Sequence, residues 1–204
     1  MTRPILVFGA GGQLGLELQR AAPWGDVPVI ALARGEGDIT DPKTVAMVFR
    51  RHAPAVVINA AAYTAVDRAE DEPEAAFAVN RDGPAALADA CCAAGTPLIH
   101  VSTDYVFDGH HLEPYREDDP VAPLGVYGRS KEAGEAAIRR RLAEHVILRT
   151  AWVYSAHRHN FVKTMLRVGA ERDRLTVVDD QHGQPTAAGD LARACLTIAE
   201  RVRA

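Results

Sequence analysis

Gly9-Ala10-Gly11-Gly12-Gln13-Leu14-Gly15 is the stretch on which the fold of this chain turns. It follows the apolar run Ile5-Leu6-Val7-Phe8 and opens a stretch, Gln13 to Ala22, that reads as a helix. Glycines at 9, 12 and 15 answer three needs of a strand–turn–helix unit: a tight turn, close approach of the backbone to a pyrophosphate, and close packing of helix on strand. The start of the helix then offers free N–H groups and the positive end of its dipole to phosphates. A glycine run alone is weak evidence. Its place between the first strand and the first helix makes it a dinucleotide-site candidate, with Gly9, Gly12, Gln13 and Leu14 as its lining.

Outward from that turn, strands and helices alternate. Val27–Leu32 is a second apolar run, and Asp41-Pro42 has the form of an N-cap with proline at the first helical position, starting a helix to about His52. Val56-Val57-Ile58 marks a third strand. Glu74 to Ala94 reads as one long helix, bent at Gly83-Pro84 and stopped by Gly95. Pro97–Ser102 is a fourth strand, Val126–Leu142 a helix, His145–Leu148 a fifth strand, Asn160–Glu171 a helix, Leu175–Val178 a sixth strand and Gly189–Arg201 a final helix. The long irregular stretch from Asp104 to Gly125 carries several prolines and Glu117-Asp118-Asp119. Continuous Val/Ile/Leu strands separated by helices predict an α/β fold: a doubly wound, Rossmann-type parallel sheet covered by helices on both faces. Residues 1–150 are expected to form the dinucleotide-binding domain. Residues 151–204 are expected to start a substrate-binding portion, itself partial, and to return to the sheet.

Composition narrows the function classes. The 204 residues include 23 Lys and Arg against 27 Asp and Glu, a formal charge of −4, which argues against nucleic acid as a partner. No apolar run approaches the roughly 18–20 residues of a membrane span, and Ile5–Phe8 is too short for a signal-peptide core. The three cysteines, Cys91, Cys92 and Cys195, show no metal-ligand spacing and are expected to be small reduced core residues of a cytoplasmic protein.

The chemistry is expected near Tyr127-Gly128-Arg129-Ser130-Lys131. Residues i and i+4 share one helix face, and an ammonium beside a phenol should lower the phenol's usual pKa of about 10. Such a tyrosine protonates a carbonyl oxygen while hydride reaches its carbon. Ser102-Thr103-Asp104 ends the fourth strand, so a hydroxyl there is in line to polarise the same oxygen; Thr103 is the first candidate and Ser102 the competing one. Asp104 is either a substrate contact or a turn former. After the second strand stands Ala33-Arg34, where NAD enzymes carry an acid for the ribose, so Arg34 points to the 2′-phosphate of NADPH. Asp38-Ile39 is spaced to flank an adenine, and the small residues of Asn59-Ala60-Ala61-Ala62-Tyr63 leave ligand room at the carboxyl end of a parallel strand.

Together these residues resemble the extended short-chain dehydrogenase/reductases and, within them, the dTDP-4-dehydrorhamnose reductases. The resemblance runs from about Ile5 to about Arg201 on Phe8–Gly15, Val57–Asp67, Ser102-Thr103-Asp104-Tyr105-Val106-Phe107-Asp108-Gly109, Tyr127–Lys131, Leu148-Arg149-Thr150-Ala151-Trp152-Val153-Tyr154 and Gly183-Gln184-Pro185-Thr186. It implies that Gly12, Gln13 and Leu14 line the cofactor pyrophosphate and ribose, Asp38 and Ile39 the adenine, Ala62, Tyr63 and Thr64 the length of the cofactor, and Val101 the nicotinamide side. It implies Tyr127 as proton donor, Lys131 on the nicotinamide ribose, Thr103 and Asp104 on the sugar, and Trp152 packed on the substrate. The implied reaction is reduction of dTDP-4-dehydro-L-rhamnose to dTDP-L-rhamnose, for cell-surface polysaccharide. NADPH is the expected cofactor, with NADH the other one the family uses; Mg²⁺ at a dimer contact and a homodimer come from the resemblance alone. Gly125 stands where the family commonly has Asn, and family members carry a further C-terminal stretch. Two rival readings are a nucleotide-sugar epimerase or dehydratase of the same superfamily, and a non-catalytic regulatory subunit like that of methionine adenosyltransferase.

Overall fold

Ile5–Phe8 forms β1, with all four side chains buried. In a computed structural model, which describes residues 2–22, 27–111 and 113–203, this strand lies inside a five-stranded parallel sheet. Its companions are β2 (Val29–Leu32), β3 (Val56–Asn59), β4 (Leu98–Thr103) and β5 (His145–Thr150), in the order β2-β1-β3-β4-β5. Successive side chains of a strand point to opposite faces, and β1 shows the consequence. Leu6 and Phe8 pack with Val45, Val48, Leu87, Cys91 and Ile138, whereas Ile5 and Val7 pack with Leu14, Leu18, Leu191 and Cys195. The first layer comes from α2 (Pro42–His52), α5 (Gly83–Ala94) and α6 (Val126–Arg141); the second comes from α1 (Gln13–Ala21) and α8 (Ala188–Val202). Chain order reverses between β1 and β3, the switch point at which doubly wound sheets open a ligand crevice beyond their carboxyl ends.

Local signals work as their chemistry predicts in α2. Asp41 accepts hydrogen bonds from the backbone N–H groups of Lys43 and Thr44, with Pro42 next to it in the first turn. Gly95 ends α5 in the left-handed conformation, φ 59°.

Several expectations are corrected. Residues 74–94 are helical throughout, but the irregularity is not a bend at Gly83-Pro84. After α3 (Val66–Asp71), the helix runs from α4 (Pro73–Phe77) through a π-helical segment at Ala78–Asp82 into α5. The π segment lies just ahead of Gly83-Pro84, and Pro84, which has no N–H to give, follows in the first turn of α5. Leu175–Val178 is not a strand, because no described strand lies alongside it, and Leu175, Val177 and Val178 are exposed. The pairing in this region is instead between β6 (Val153–Tyr154) and β7 (Thr186–Ala187). Between them runs α7 (Phe161–Glu171), none of whose residues is buried. Cys91 and Cys195 are buried, but Cys92 is exposed, since it falls on the outer face of α5. Among the described residues no helix is long and apolar enough to cross a membrane.

Candidate active site

Three of the four glycines in the turn, Gly9, Gly12 and Gly15, divide between two tasks. A Cβ at Gly9 would lie 2.6 Å from the Ala61 nitrogen, and φ there is +93°; a Cβ at Gly15 would lie 2.2 Å from the Gly9 carbonyl oxygen. Both are demanded by the protein's own packing. A Cβ at Gly12 would meet only the Gly9 oxygen, at 3.5 Å, an ordinary contact. Gly12 thus borders open space at the N-terminus of α1, whose first turn no side chain caps. That is a cradle sized and polarised for a pyrophosphate.

Around this cradle, the predicted lining residues take different parts. Leu14 is buried in the core beneath the turn. The Gln13 amide is engaged at both ends: Nε2 donates to the Val153 carbonyl at 3.1 Å, and Oε1 accepts from Ser155 Oγ at 3.1 Å and Asn160 Nδ2 at 2.9 Å. Ile39 is also core, 3% exposed. Asp38 accepts the backbone N–H and hydroxyl of Thr40, which hold its carboxyl below the usual range, and pairs with Arg34 at 3.3 Å. Arg34 is exposed beyond the end of β2, while Glu36 is turned back to accept the Ala33 N–H at 3.0 Å. On the β3 side, Asn80 of the π segment clamps the backbone of Tyr63, accepting its N–H at 2.8 Å and donating to its carbonyl at 3.0 Å. The Tyr63 hydroxyl donates to Glu72 at 2.8 Å, and Ala62 and Thr64 lie along the same loop.

Tyr127 and Lys131 sit one turn apart on α6. This helix has no side-chain cap at Gly125; Glu70 of α3 supplies one instead, accepting the Val126 N–H at 2.7 Å. Asn80 Nδ2 also donates to Ser130 Oγ at 3.0 Å, and α6 approaches so closely that a Cβ at Gly134 would lie 2.0 Å from the Asn80 oxygen. Glu135, fully buried, is held by Arg149 of β5 at 2.7 Å and by Arg139. The helix bearing the Tyr–Lys pair is therefore fixed from three sides.

The electrostatics of the pair correct the sequence-based expectation. Lys131 Nζ does not turn to the phenol; it donates to the Val101 carbonyl at 2.7 Å and lies 3.5 Å from His100 Nε2. Burial pushes the Tyr127 phenol up to about 12, with Thr103 hydrogen bonding opposing and the Asp104 charge adding to the rise. Burial pulls Lys131 down to about 8. The phenol is thus a protonated donor at neutral pH. Thr103 is the hydroxyl beside Tyr127, and it also donates to Asp104 Oδ1 at 3.1 Å. Burial raises the Asp104 carboxyl. Ser102, 4% exposed, points instead toward α6, near Glu135 but outside good hydrogen-bond geometry. Tyr105 meets Tyr127 edge-on at 5.6 Å between ring centres.

Trp152 follows β5 with φ +44°, a backbone that costs a non-glycine residue about 1 kcal/mol. It is 45% exposed, and it packs so tightly on Gly183 that a Cβ there would lie 2.6 Å from the indole. Asn80, Glu70, Glu135 and His100 were not singled out by sequence reasoning. Asn80 and Glu70 act across 17 and 56 positions of sequence, with no local pattern to reveal them. Among the described residues no group of three or more His, Cys, Asp or Glu is placed to hold a metal ion.

Residues 2–204 match the family described as the RmlD substrate binding domain. A dTDP-4-dehydrorhamnose reductase of Sinorhizobium fredii is 50% identical over 199 residues, 97% of this chain and 67% of that protein. One of Streptomyces griseus is 52% identical over 188 residues, 92% of this chain and 62% of that protein. The structure of dTDP-4-dehydrorhamnose reductase from Bacillus anthracis, in complex with NADP, aligns with a TM-score of 0.96 at 37% identity, over 99% of this chain and 72% of that one. The chain spans about two thirds of the length of the curated relatives it matches. With its Rossmann-type sheet, open glycine cradle and Tyr–Lys helix, this chain belongs to the dTDP-4-dehydrorhamnose reductase family.

Proposed function

We propose that this chain carries the cofactor-binding and proton-donating machinery of a cytoplasmic reductase that converts dTDP-4-dehydro-L-rhamnose to dTDP-L-rhamnose. The observation that carries the reading is a convergence. The open cradle at Gly12 and the Thr103–Tyr127 hydroxyl pair lie at the same edge of the sheet, off the carboxyl ends of β1 and β4, with Lys131 one turn along α6. NADPH supplies the hydride when bound. The backbone of Gly11 to Leu14 would hold the pyrophosphate, and the loop Ala62-Tyr63-Thr64, whose backbone Asn80 clamps at Tyr63, would run along the cofactor. The exposed guanidinium of Arg34 would take a 2′-phosphate, Val101 would border the nicotinamide side, and Lys131 would orient the nicotinamide ribose. Thr103 positions and polarises the substrate carbonyl, and Tyr127 donates the proton to its oxygen. The depressed pKa of Lys131, about 8, leaves the amine able to exchange a proton near neutrality. Trp152 and Asp104 bound the sugar. The free thiols of Cys91, Cys92 and Cys195 accord with a reducing compartment.

An epimerase or dehydratase of the same superfamily would recycle a tightly held cofactor, and the names of the relatives favour a reductase. A regulatory subunit would have no use for the Tyr127–Lys131 pair. The deciding experiment follows loss of reduced-nicotinamide absorbance with dTDP-4-dehydrorhamnose, on this chain and on a form extended to the length of its relatives. Tyr127→Phe is expected to lose about 10²–10⁴ of the rate while still binding NADPH. Equal rates in the variant, or no oxidation by either form, would contradict the reading.

A further inference from the structure

Behind the phenol and the amine, a line of buried polar groups runs into β3 and β4, and no step described so far uses it. The Ala61 N–H donates to Asn59 Oδ1 at 3.1 Å; Asn59 Nδ2 lies 3.0 Å from His100 Nδ1; and His100 Nε2 lies 3.5 Å from Lys131 Nζ, which donates to the Val101 carbonyl at 2.7 Å. Asn59 and His100 are 0% exposed and Lys131 2%. These contacts decide where the hydrogens are. Asn59 Oδ1 is committed to a backbone donor, so the atom facing His100 is the amide nitrogen, which only donates. His100 Nδ1 must then accept, and a neutral imidazole carries its proton on Nε2. Burial and the neighbouring Lys131 charge hold His100 well below its usual pKa, so it is neutral. An N–H therefore faces the amine, where an ammonium has only hydrogens to offer and a neutral amine has a lone pair.

We propose that His100, locked as the Nε2–H tautomer by Asn59, is a positioning residue for Lys131: it holds the amine against the Val101 carbonyl and disfavours the ammonium form. The line is no proton wire, because it ends on the Ala61 backbone N–H, which has no proton to spare. It acts by orientation. The other groups around Lys131 divide simply. Glu135, on its own helix, favours the ammonium, but its charge is shared with Arg139 and Arg149. Asn80 and Ser130, from the π segment and α6, are uncharged, and Tyr127 is a neutral phenol. Burial outweighs Glu135 and pulls the lysine down to about 8; the His100 N–H acts in the same direction. The role of this amine in reduction rests on the function proposed above; the tautomer and its effect on Lys131 do not.

The test is nuclear magnetic resonance on the 204-residue chain, with no substrate needed. Long-range nitrogen–proton correlations of the histidine rings report the tautomer, and carbon shifts next to the lysine amines report titration, with Lys131→Met assigning the signal. His100 is expected to show the Nε2–H pattern and to stay neutral across about pH 5–8. Asn59→Asp forces the proton onto Nδ1, and His100→Asn keeps an acceptor for Asn59 but removes the N–H. Each is expected to raise the Lys131 midpoint by about one unit or more, the first by turning a lone pair to the amine with the new carboxylate charge adding to the rise, and the second, which adds no charge, by removing the Nε2 donor. A proton on Nδ1 in the unaltered chain, an ordinary His100 titration, or a Lys131 midpoint unmoved in both variants would overturn the proposal. The unaltered chain answers even if neither variant folds. Absence of NADPH oxidation alongside the Nε2–H pattern would count against the reductase reading alone.

Discussion

β4 and α7 both look like structural elements in the sequence, and they meet opposite fates. Leu98–Thr103 is flanked by β3 and β5, and five of its six side chains are buried. Phe161–Glu171 has a well-formed apolar stripe and an Asn160 cap that accepts the Lys163 N–H, yet it buries none of its residues; Leu166 is 71% exposed. Local pattern and capping suffice to shape a helix, but burial requires a surface to pack on. The sheet half has one on both faces. The stretch from Trp152 to Gln184 is tied back chiefly by polar threads, above all the Gln13 amide bonded to Val153, Ser155 and Asn160.

The sharpest way to break this contrast is to add one methyl group on each side. Gly15→Ala would place Cβ 2.2 Å from a backbone oxygen, whereas at Gly169 in α7 the nearest atom is Leu175 Cδ1 at 3.9 Å. Urea titration is expected to show Gly15→Ala losing more than about 4 kcal/mol or failing to fold, and Gly169→Ala unchanged or gaining up to about 1 kcal/mol. Similar losses in both would mean α7 is packed after all.

Ion pairs give the next contrast. Removing Glu135 strands the partly buried Arg149, and Glu135→Ala is expected to cost about 3–5 kcal/mol. The Arg167–Glu171 pair of α7, with both side chains more than half exposed, is expected to be worth less than about 0.5 kcal/mol when Glu171→Ala breaks it. The arginines hold the Glu135 carboxyl below its ordinary 4.5. Its stabilisation is therefore present above 4.5 and is lost as pH falls through the lower folded value, so the acid limb of a stability–pH curve should flatten in the variant.

Lys131 acts in the opposite sense. Its folded pKa of about 8 lies below the ordinary 10.5, so the unfolded chain binds more protons between those values and stability should rise with pH across that window. Lys131→Met is expected to remove that slope and to raise stability at pH 7 by roughly 1–3 kcal/mol, net of the lost bond to Val101. A slope that survives the substitution would contradict the assignment. The smallest effect is at Leu166: Leu166→Lys should change the unfolding free energy from urea titration by less than about 0.5 kcal/mol, and a larger loss would reveal a hidden partner.

The parallel sheet was legible because strands buried on both faces read as nearly continuous apolar runs, as Val56–Ile58 and Ile5–Phe8 do. Leu175–Val178 is similarly rich in apolar residues, yet no described strand lies alongside it, a fact about the third dimension that the run itself does not carry. The π segment at Ala78–Asp82 serves Asn80, whose partners Tyr63 and Ser130 are distant in sequence. The Tyr127–Lys131 spacing rightly indicated one helix face. It misled on electrostatics, because the amine has the Val101 carbonyl within 2.7 Å, and the phenol responds to burial instead. Ile39 and Leu14 show the same limit: their positions beside the turn and the second strand did not reveal that both side chains are buried in the core.

A crystal structure of this chain with NADPH tests the central claim most directly. The expected result has the pyrophosphate against the backbone of Gly11 to Leu14, a nicotinamide-ribose hydroxyl within about 3.2 Å of Lys131 Nζ, and the reactive carbon facing the gap between Thr103 and Tyr127. A nicotinamide directed away from α6, or a Tyr127 hydroxyl out of reach of any group lying against that ring, would contradict it.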